Sequence, residues 1–164
     1  MLKKLALAVI FITVTATLIA GCTSSTTSTK SGSNVGTMNL EVVRVPAPAT
    51  IGSPYVYEPK AGFTFIMFNT TVTNVDATSR NVDPLYFTLN DSDGNAYSRS
   101  LATDDKSIAG FPNNVVTNPG DKVNGLLVFE VPKNAQLTTL VYNDDVSRPV
   151  TVPVNFKAQT QGDM

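Results

Sequence analysis

The feature that most limits what this chain can fold into is a succession of short β-prone runs with turn residues between them. Residues 63–75 (FTFIMFNTTVTNV) are rich in aromatic and β-branched side chains, and their first half is too apolar to leave one face wet. That predicts a central strand. Leu85, Phe87 and Leu89 alternate with Tyr86, Thr88 and Asn90, the period-two pattern of a half-buried strand. Asp91-Ser92-Asp93-Gly94 follows as a hairpin turn, because Asp-Gly tolerates the positive φ of a tight reversal, and residues 96–100 return. Asn118-Pro119-Gly120-Asp121 turns into residues 122–131 (KVNGLLVFEV), a strand in which Gly125 reads as a bulge. Residues 137–143 form another strand, and Val150, Val152, Val154 and Phe156 alternate through a last one. With residues 40–45 at the front there are about seven strands, no helical stripe beyond two turns and no internal repeat. The expected fold is all-β, an antiparallel immunoglobulin-like β-sandwich. The chain has no tryptophan and its one cysteine lies far upstream, so the cysteine-tryptophan core of antibody domains is excluded.

The N-terminus gives an address. Lys3 and Lys4 precede a 16-residue apolar run, residues 5–20, interrupted only by Thr13, Thr15 and Thr17. That is a signal-peptide layout, and the run is short of the roughly 20 residues a permanent span needs. Leu18-Ile19-Ala20-Gly21-Cys22 looks like the lipobox of bacterial-type lipoproteins, with small residues before a cysteine that lipidation must reach. The expectation is a signal peptide over residues 1–21, cleavage before Cys22 and a lipid on that residue; an uncleaved anchor or an ordinary signal peptide is the alternative. Cys22 has no second cysteine with which to pair, although exported domains meet an oxidising compartment. The lipoprotein resemblance implies a diacylglyceryl thioether, whose two acyl chains hold stably where one would be marginal. The predicted location is the outer face of the cell membrane.

Residues 23–37 (TSSTTSTKSGSNVGT) are nearly all Ser, Thr and Gly and lack the apolar surface that would offset ordering. With Cys22 they read as a disordered linker over residues 22–37, about 20 Å end to end as a flexible coil. Residues 38–164 are then one sandwich domain. Lys3 and Lys4 apart, ten of the twelve basic residues remain against thirteen acidic ones, with no positive block. This argues against nucleic acid, and against an anionic membrane surface as the main partner, since both need clustered Lys and Arg.

Several motifs together resemble a family. An apolar strand closing on Val72-Thr73-Asn74, then Leu85-Tyr86-Phe87-Thr88-Leu89 with the Asp91-Ser92-Asp93-Gly94 hairpin, precedes Asn118-Pro119-Gly120-Asp121. Gly125-Leu126-Leu127-Val128-Phe129-Glu130-Val131-Pro132 and Leu140-Val141-Tyr142 complete the set. The pattern is similar to the telokin-like secreted domains known as domain of unknown function 4352, over about residues 63–144. The resemblance implies an exported or lipid-anchored immunoglobulin-like sandwich behind a Ser/Thr-rich linker, and it carries no catalytic motif to transfer. Residues 46–62 and 99–115 depart from it and read as insertions or variable loops.

No histidine is present, which removes the commonest general base and the Ser-His and Cys-His pairings. A carboxylate pair remains conceivable for hydrolysis, but Glu41, Glu58 and Glu130 are the only glutamates and most aspartates stand in turns. The chain therefore reads as a non-enzyme without a cofactor. Asp91, Asp93 and Asn95 place oxygens at alternate positions, as calcium prefers, though a hairpin turn accounts for them completely and is the favoured reading, and no EF-hand spacing exists. Asn69 and Asn90 begin glycosylation-type triplets.

Residues 46–62 (PAPATIGSPYVYEPKAG) are the candidate recognition loop. Four prolines restrict it, and Tyr55 and Tyr57 offer rigid amphipathic rings to a partner. The simpler reading has these tyrosines capping the core. Two functions follow: a surface module binding another envelope or extracellular protein or glycan, or a structural or stress-related envelope component without a specific ligand.

Overall fold

The computed structural model describes residues 31–34 and 38–158; the expected signal peptide, Cys22 and the remainder of the linker lie outside the described residues. Ten strands are seen: β1 (Ser31–Asn34), β2 (Met38–Val45), β3 (Phe63–Asn74), β4 (Arg80–Val82), β5 (Phe87–Asp91), β6 (Ala96–Ser98), β7 (Val115–Thr117), β8 (Lys122–Pro132), β9 (Gln136–Tyr142) and β10 (Val150–Lys157). One sheet runs β1-β2-β3-β8, the facing sheet β10-β9-β5-β6, and β4 and β7 form a separate ribbon, all pairs antiparallel. The fold is the antiparallel immunoglobulin-like β-sandwich.

The core follows from strand alternation. Met38, Leu40 and Val42 of β2, Ile66, Phe68 and Val72 of β3, and Leu127, Phe129 and Val131 of β8 point inward from the first sheet. Phe87, Leu89, Leu137, Leu140, Tyr142, Val150 and Val152 meet them from the second. Full burial of each large side chain is worth about 1.5–3 kcal/mol. Aromatic edges lock the packing: Phe87 stands T-shaped to Tyr142 at 5.0 Å and to Phe111 at 5.3 Å. At one end Phe156 lies under the Arg44 guanidinium, 3.9 Å from ring to cation, and the partial burial lowers the Arg44 pKa.

Several expectations are corrected. Ser31–Asn34, taken as linker, pair with Asn39, Leu40, Glu41 and Val42, so the sheet continues one strand further upstream. Leu85 is not in a strand. Asp83 caps a 3₁₀ turn over Pro84–Tyr86, its carboxylate accepting the Leu85 N–H at 2.8 Å, and Leu85 faces solvent while Phe87 and Leu89 are buried. Gly125 marks no bulge, since β3 and β8 stay in register from Phe63↔Pro132 to Thr73↔Lys122. It is small because the backbone of Phe111 crosses it: an added Cβ would stand 2.4 Å from Phe111 Cα. The register shifts fall instead between Pro153 and Phe156 of β10 and between Asn90 and Asp91 of β5.

Residues 46–62 and 99–115, read as insertions or variable loops, cover the outer face of the first sheet. Phe65 and Met67 of β3 and Val128 of β8 point away from the main core, as expected for a strand with no wet face at its start. Ile51, Ala102, Tyr57 and Ile108, from the two segments, cover them in a second apolar cluster. The same 99–111 stretch seals the outer edge of β8: Ser100 N–H donates to Val128 O (2.7 Å), Phe111 N–H to Leu126 O (2.8 Å), and Leu126 N–H to Ala109 O (2.9 Å). Thr103 Oγ1 accepts the Val128 N–H at 3.0 Å. An edge that would otherwise offer free pairing groups is thereby closed.

At the other end of the sandwich Asn74, fully buried, ties β3 to the ribbon. Its Nδ2 donates to Thr78 O (2.9 Å) and Thr117 O (3.0 Å), and its Oδ1 accepts the Asp76 N–H at 2.9 Å.

Candidate functional site

Residues 46–62 leave the end of β2, fold over the outer face of the first sheet and return at Phe63. A two-way backbone bridge narrows the loop: Ile51 N–H donates to Tyr57 O (3.0 Å) and Tyr57 N–H to Ile51 O (2.6 Å). Gly52 enters the enclosed turn at φ +112°, a conformation that glycine alone takes easily, and a Cβ there would meet Tyr55 O at 2.1 Å. The two tyrosines thus part company. Tyr57 packs against the second apolar cluster, whereas Tyr55 is 83% exposed, with Val56 beside it at 55%. An exposed ring on a pinned turn suits recognition, because little conformational freedom remains to be lost on contact.

The base of the loop is held as firmly. Phe63 N–H donates to Lys60 O (2.9 Å), Lys133 N–H to Gly62 O (3.0 Å), and Lys60 N–H to Glu130 Oε1 (2.8 Å). Between these bonds lies a cleft of about 290 Å³, lined by Ala47, Pro48, Pro59, Phe63 and Phe65 with Lys60 and Lys133. The lysines were not singled out from the sequence. They lie 73 positions apart, and only the β3–β8 pairing brings them together.

Asp91, Asp93 and Asn95 are together in the β5–β6 hairpin, but their geometry is that of a turn. The buried Asp91 carboxylate accepts the N–H groups of Asp93 (2.9 Å) and Asn95 (2.8 Å), Asn95 Nδ2 (2.8 Å) and Tyr97 OH (2.6 Å). The Tyr97 hydroxyl, then the Asn95 amide, hold its pKa down from 3.8 to about 2, while burial and the Asp91 charge push Tyr97 up to about 12. Both Asp91 oxygens are thus engaged by the protein. Among the described residues no group of three or more His, Cys, Asp or Glu stands together as a metal site. Nor is any helix among them long and apolar enough to cross a membrane. Of the triplet asparagines, Asn69 is exposed on β3 and accepts from Asn124 Nδ2 at 2.9 Å, and Asn90 donates to Thr139 Oγ1 at 3.3 Å.

Solved structures share this architecture. The ycdA protein of Bacillus subtilis, suggested to be a lipoprotein, superposes with a TM-score of 0.53 at 22% identity over 75% of this chain; the chain spans only 38% of ycdA. The yjhA protein of Bacillus subtilis gives 0.52 at 19% identity, covering 79% of this chain and 82% of its own. A conserved hypothetical protein of Bacillus anthracis gives 0.50 at 16%, over 73% and 91%. At such identities the likeness speaks for the fold alone. No curated protein matches the sequence. A family model does, over residues 29–150, a span that takes in β1 and both covering segments: the chain belongs to the family of the domain of unknown function DUF4352.

Proposed function

We propose that this chain is an extracytoplasmic lipoprotein, held to the membrane through Cys22, whose non-catalytic sandwich presents the tip of residues 52–56 to another envelope or extracellular component. The observation that carries the reading is the contrast within the loop: Tyr57 anchors it to an apolar cluster while Tyr55 and Val56 stand in solvent on a turn closed by two backbone hydrogen bonds. The lipobox-like sequence before Cys22 and the lipoprotein description of ycdA support the address.

Crosslinking on intact cells tests the binding role. Tyr55→Ala should abolish capture of the partner and change stability by no more than about 0.5 kcal/mol, as for exposed sites away from structural features. Tyr57→Ala should cost about 1–3 kcal/mol, since it removes part of the cover of the second cluster. Equal capture by wild type and Tyr55→Ala would favour a structural envelope component instead. Incorporation of a radiolabelled fatty acid that disappears in Cys22→Ser tests the anchor.

A further inference from the structure

With β1 set aside, the two main sheets have four edges, β2, β8, β10 and β6, and three of them are blocked by the fold itself. Along β8 the 99–111 stretch takes up the pairing groups, as Ser100 N–H donates to Val128 O and Phe111 N–H to Leu126 O. β6 is three residues long and runs straight into the Arg99 bridge to Phe129. β10 carries Pro153 and shifts register between Pro153 and Phe156, with Asn155 at φ +34°, so its edge departs from regular pairing. Such devices keep a sheet from recruiting a further strand.

The fourth edge has no such device. β2 buries Met38, Leu40 and Val42, yet the strand laid against it is Ser31–Asn34, SGSN. Gly and Asn are among the types least favoured in strands, and glycine loses the most backbone freedom on pairing. In register, Ser33 stands opposite Leu40 and Ser31 opposite Val42, so the positions level with core residues bring no apolar group. A strand of this composition specifies its register weakly, and backbone pairing is the chief contribution it can make. β1 lies beside β10 at the mouth between the two sheets. There Val154 and Phe156 of β10 are only half-buried, with Phe156 under the Arg44 guanidinium of β2. An extended segment with apolar residues at alternate positions would make the same backbone bonds and add cover for Val154 and Phe156. It competes with a strand joined to β2 through residues 35–37 alone, at an effective concentration on the order of millimolar, and the added apolar burial is what favours it.

We infer that the β2 edge is a strand-acceptor site, held in this structure by Ser31–Asn34 as a replaceable strand, and that its ligand is an extended segment of a partner protein with apolar side chains at alternate positions. The site is separate from the Tyr55 tip and independent of it. The test uses the full chain in detergent and a fluorescein-labelled, lysine-ended peptide of alternating Val and Thr, with a Ser-Thr peptide as control. Fluorescence anisotropy reads binding and hydrogen exchange reads its place. The expected result is binding of the Val-Thr peptide alone, with exchange quickened at residues 31–34 while β2 stays protected. Affinity should fall roughly tenfold in Ser31→Val/Ser33→Val, which strengthens β1, and rise roughly tenfold in Gly32→Pro/Ser33→Pro, which removes N–H groups from it. Tyr55→Ala should leave it unchanged. Slowed exchange at residues 31–34 would put the peptide on the outside of β1, and one affinity across the β1 variants would put it elsewhere. A Gly32→Pro/Ser33→Pro chain that dimerises without taking the peptide would give the edge to a second copy. Each of these overturns the inference, as does equal binding of the two peptides or no binding by any of the chains.

Discussion

Replacement of Gly125 by alanine probes a close backbone approach to strand β8. The added Cβ would stand 2.4 Å from Phe111 Cα, 2.7 Å from Phe111 N and 2.8 Å from Gly110 O, where ordinary contact begins at 3.4 Å. All three are backbone atoms, so no side-chain rotation relieves the clash, and residues 109–111 must move off β8 by about 1 Å. Overpacking alone costs about 1–3 kcal/mol. The Phe111 N–H bond to Leu126 O and the Leu126 N–H bond to Ala109 O lengthen together, at about 1 kcal/mol each. Phe111, only 2% exposed, loosens its edge contact with Phe87. These losses are not additive, and about 2–5 kcal/mol brackets the sum. For a domain of this size that lowers Tm by roughly 8–20 °C. Gly120→Ala is the comparison: it sits at φ +88° with nothing within 4 Å, so only its conformation is penalised, by about 1–2 kcal/mol. Thermal unfolding followed by circular dichroism ranks the two variants. A Gly125→Ala protein that melts at or above the Gly120→Ala temperature would refute the packing argument.

Other outcomes follow from single sites. Asn74→Ala leaves the buried Thr117 carbonyl and the part-buried Thr78 carbonyl without their donor, and urea unfolding should register a loss of about 1–3 kcal/mol with an unchanged m-value. Asp91, whose folded pKa is depressed to about 2, contributes stability that is complete above its ordinary range near pH 4 and is lost as pH falls toward 2. Tyr97→Phe removes the largest cause of that depression, so the acid-unfolding midpoint should move to higher pH; an unmoved midpoint, with the Asp91 carboxyl titrating as before by NMR, contradicts the assignment.

The parts of the fold that were legible from sequence are those in which local pattern and final burial agree. β5 buries alternate side chains, and the first half of β3 is apolar on both faces because both faces are covered. Agreement fails where a partner imposes the structure. Ser31–Asn34 (SGSN) has little strand preference of its own, and the open edge of β2 supplies its pairing. β4 and β7, three residues each, are too short to show a period. The 3₁₀ turn did have a signal, Asp83 followed by Pro84, a cap and a first-turn proline that the alternation of Leu85 with Phe87 concealed. For the candidate site, Tyr55 and Tyr57 were visible as a pair, yet only the Ile51–Tyr57 bridge separates their roles. The second cluster draws Ile51, Phe65, Ala102 and Val128 from four distant stretches, and no local window reveals such a set.

That second cluster also decides which parts of the loop can be rewritten. Ile51 and Tyr57 form its fixed underside, so exchanging residues 46–62 wholesale between relatives would strip the cover from Phe65, Met67 and Val128. The four residues from Ser53 to Val56, all exposed, carry no such burden. They are a natural insertion point for foreign peptides, and a protease cut there would leave two ends still held on either side by Ile51 and Tyr57.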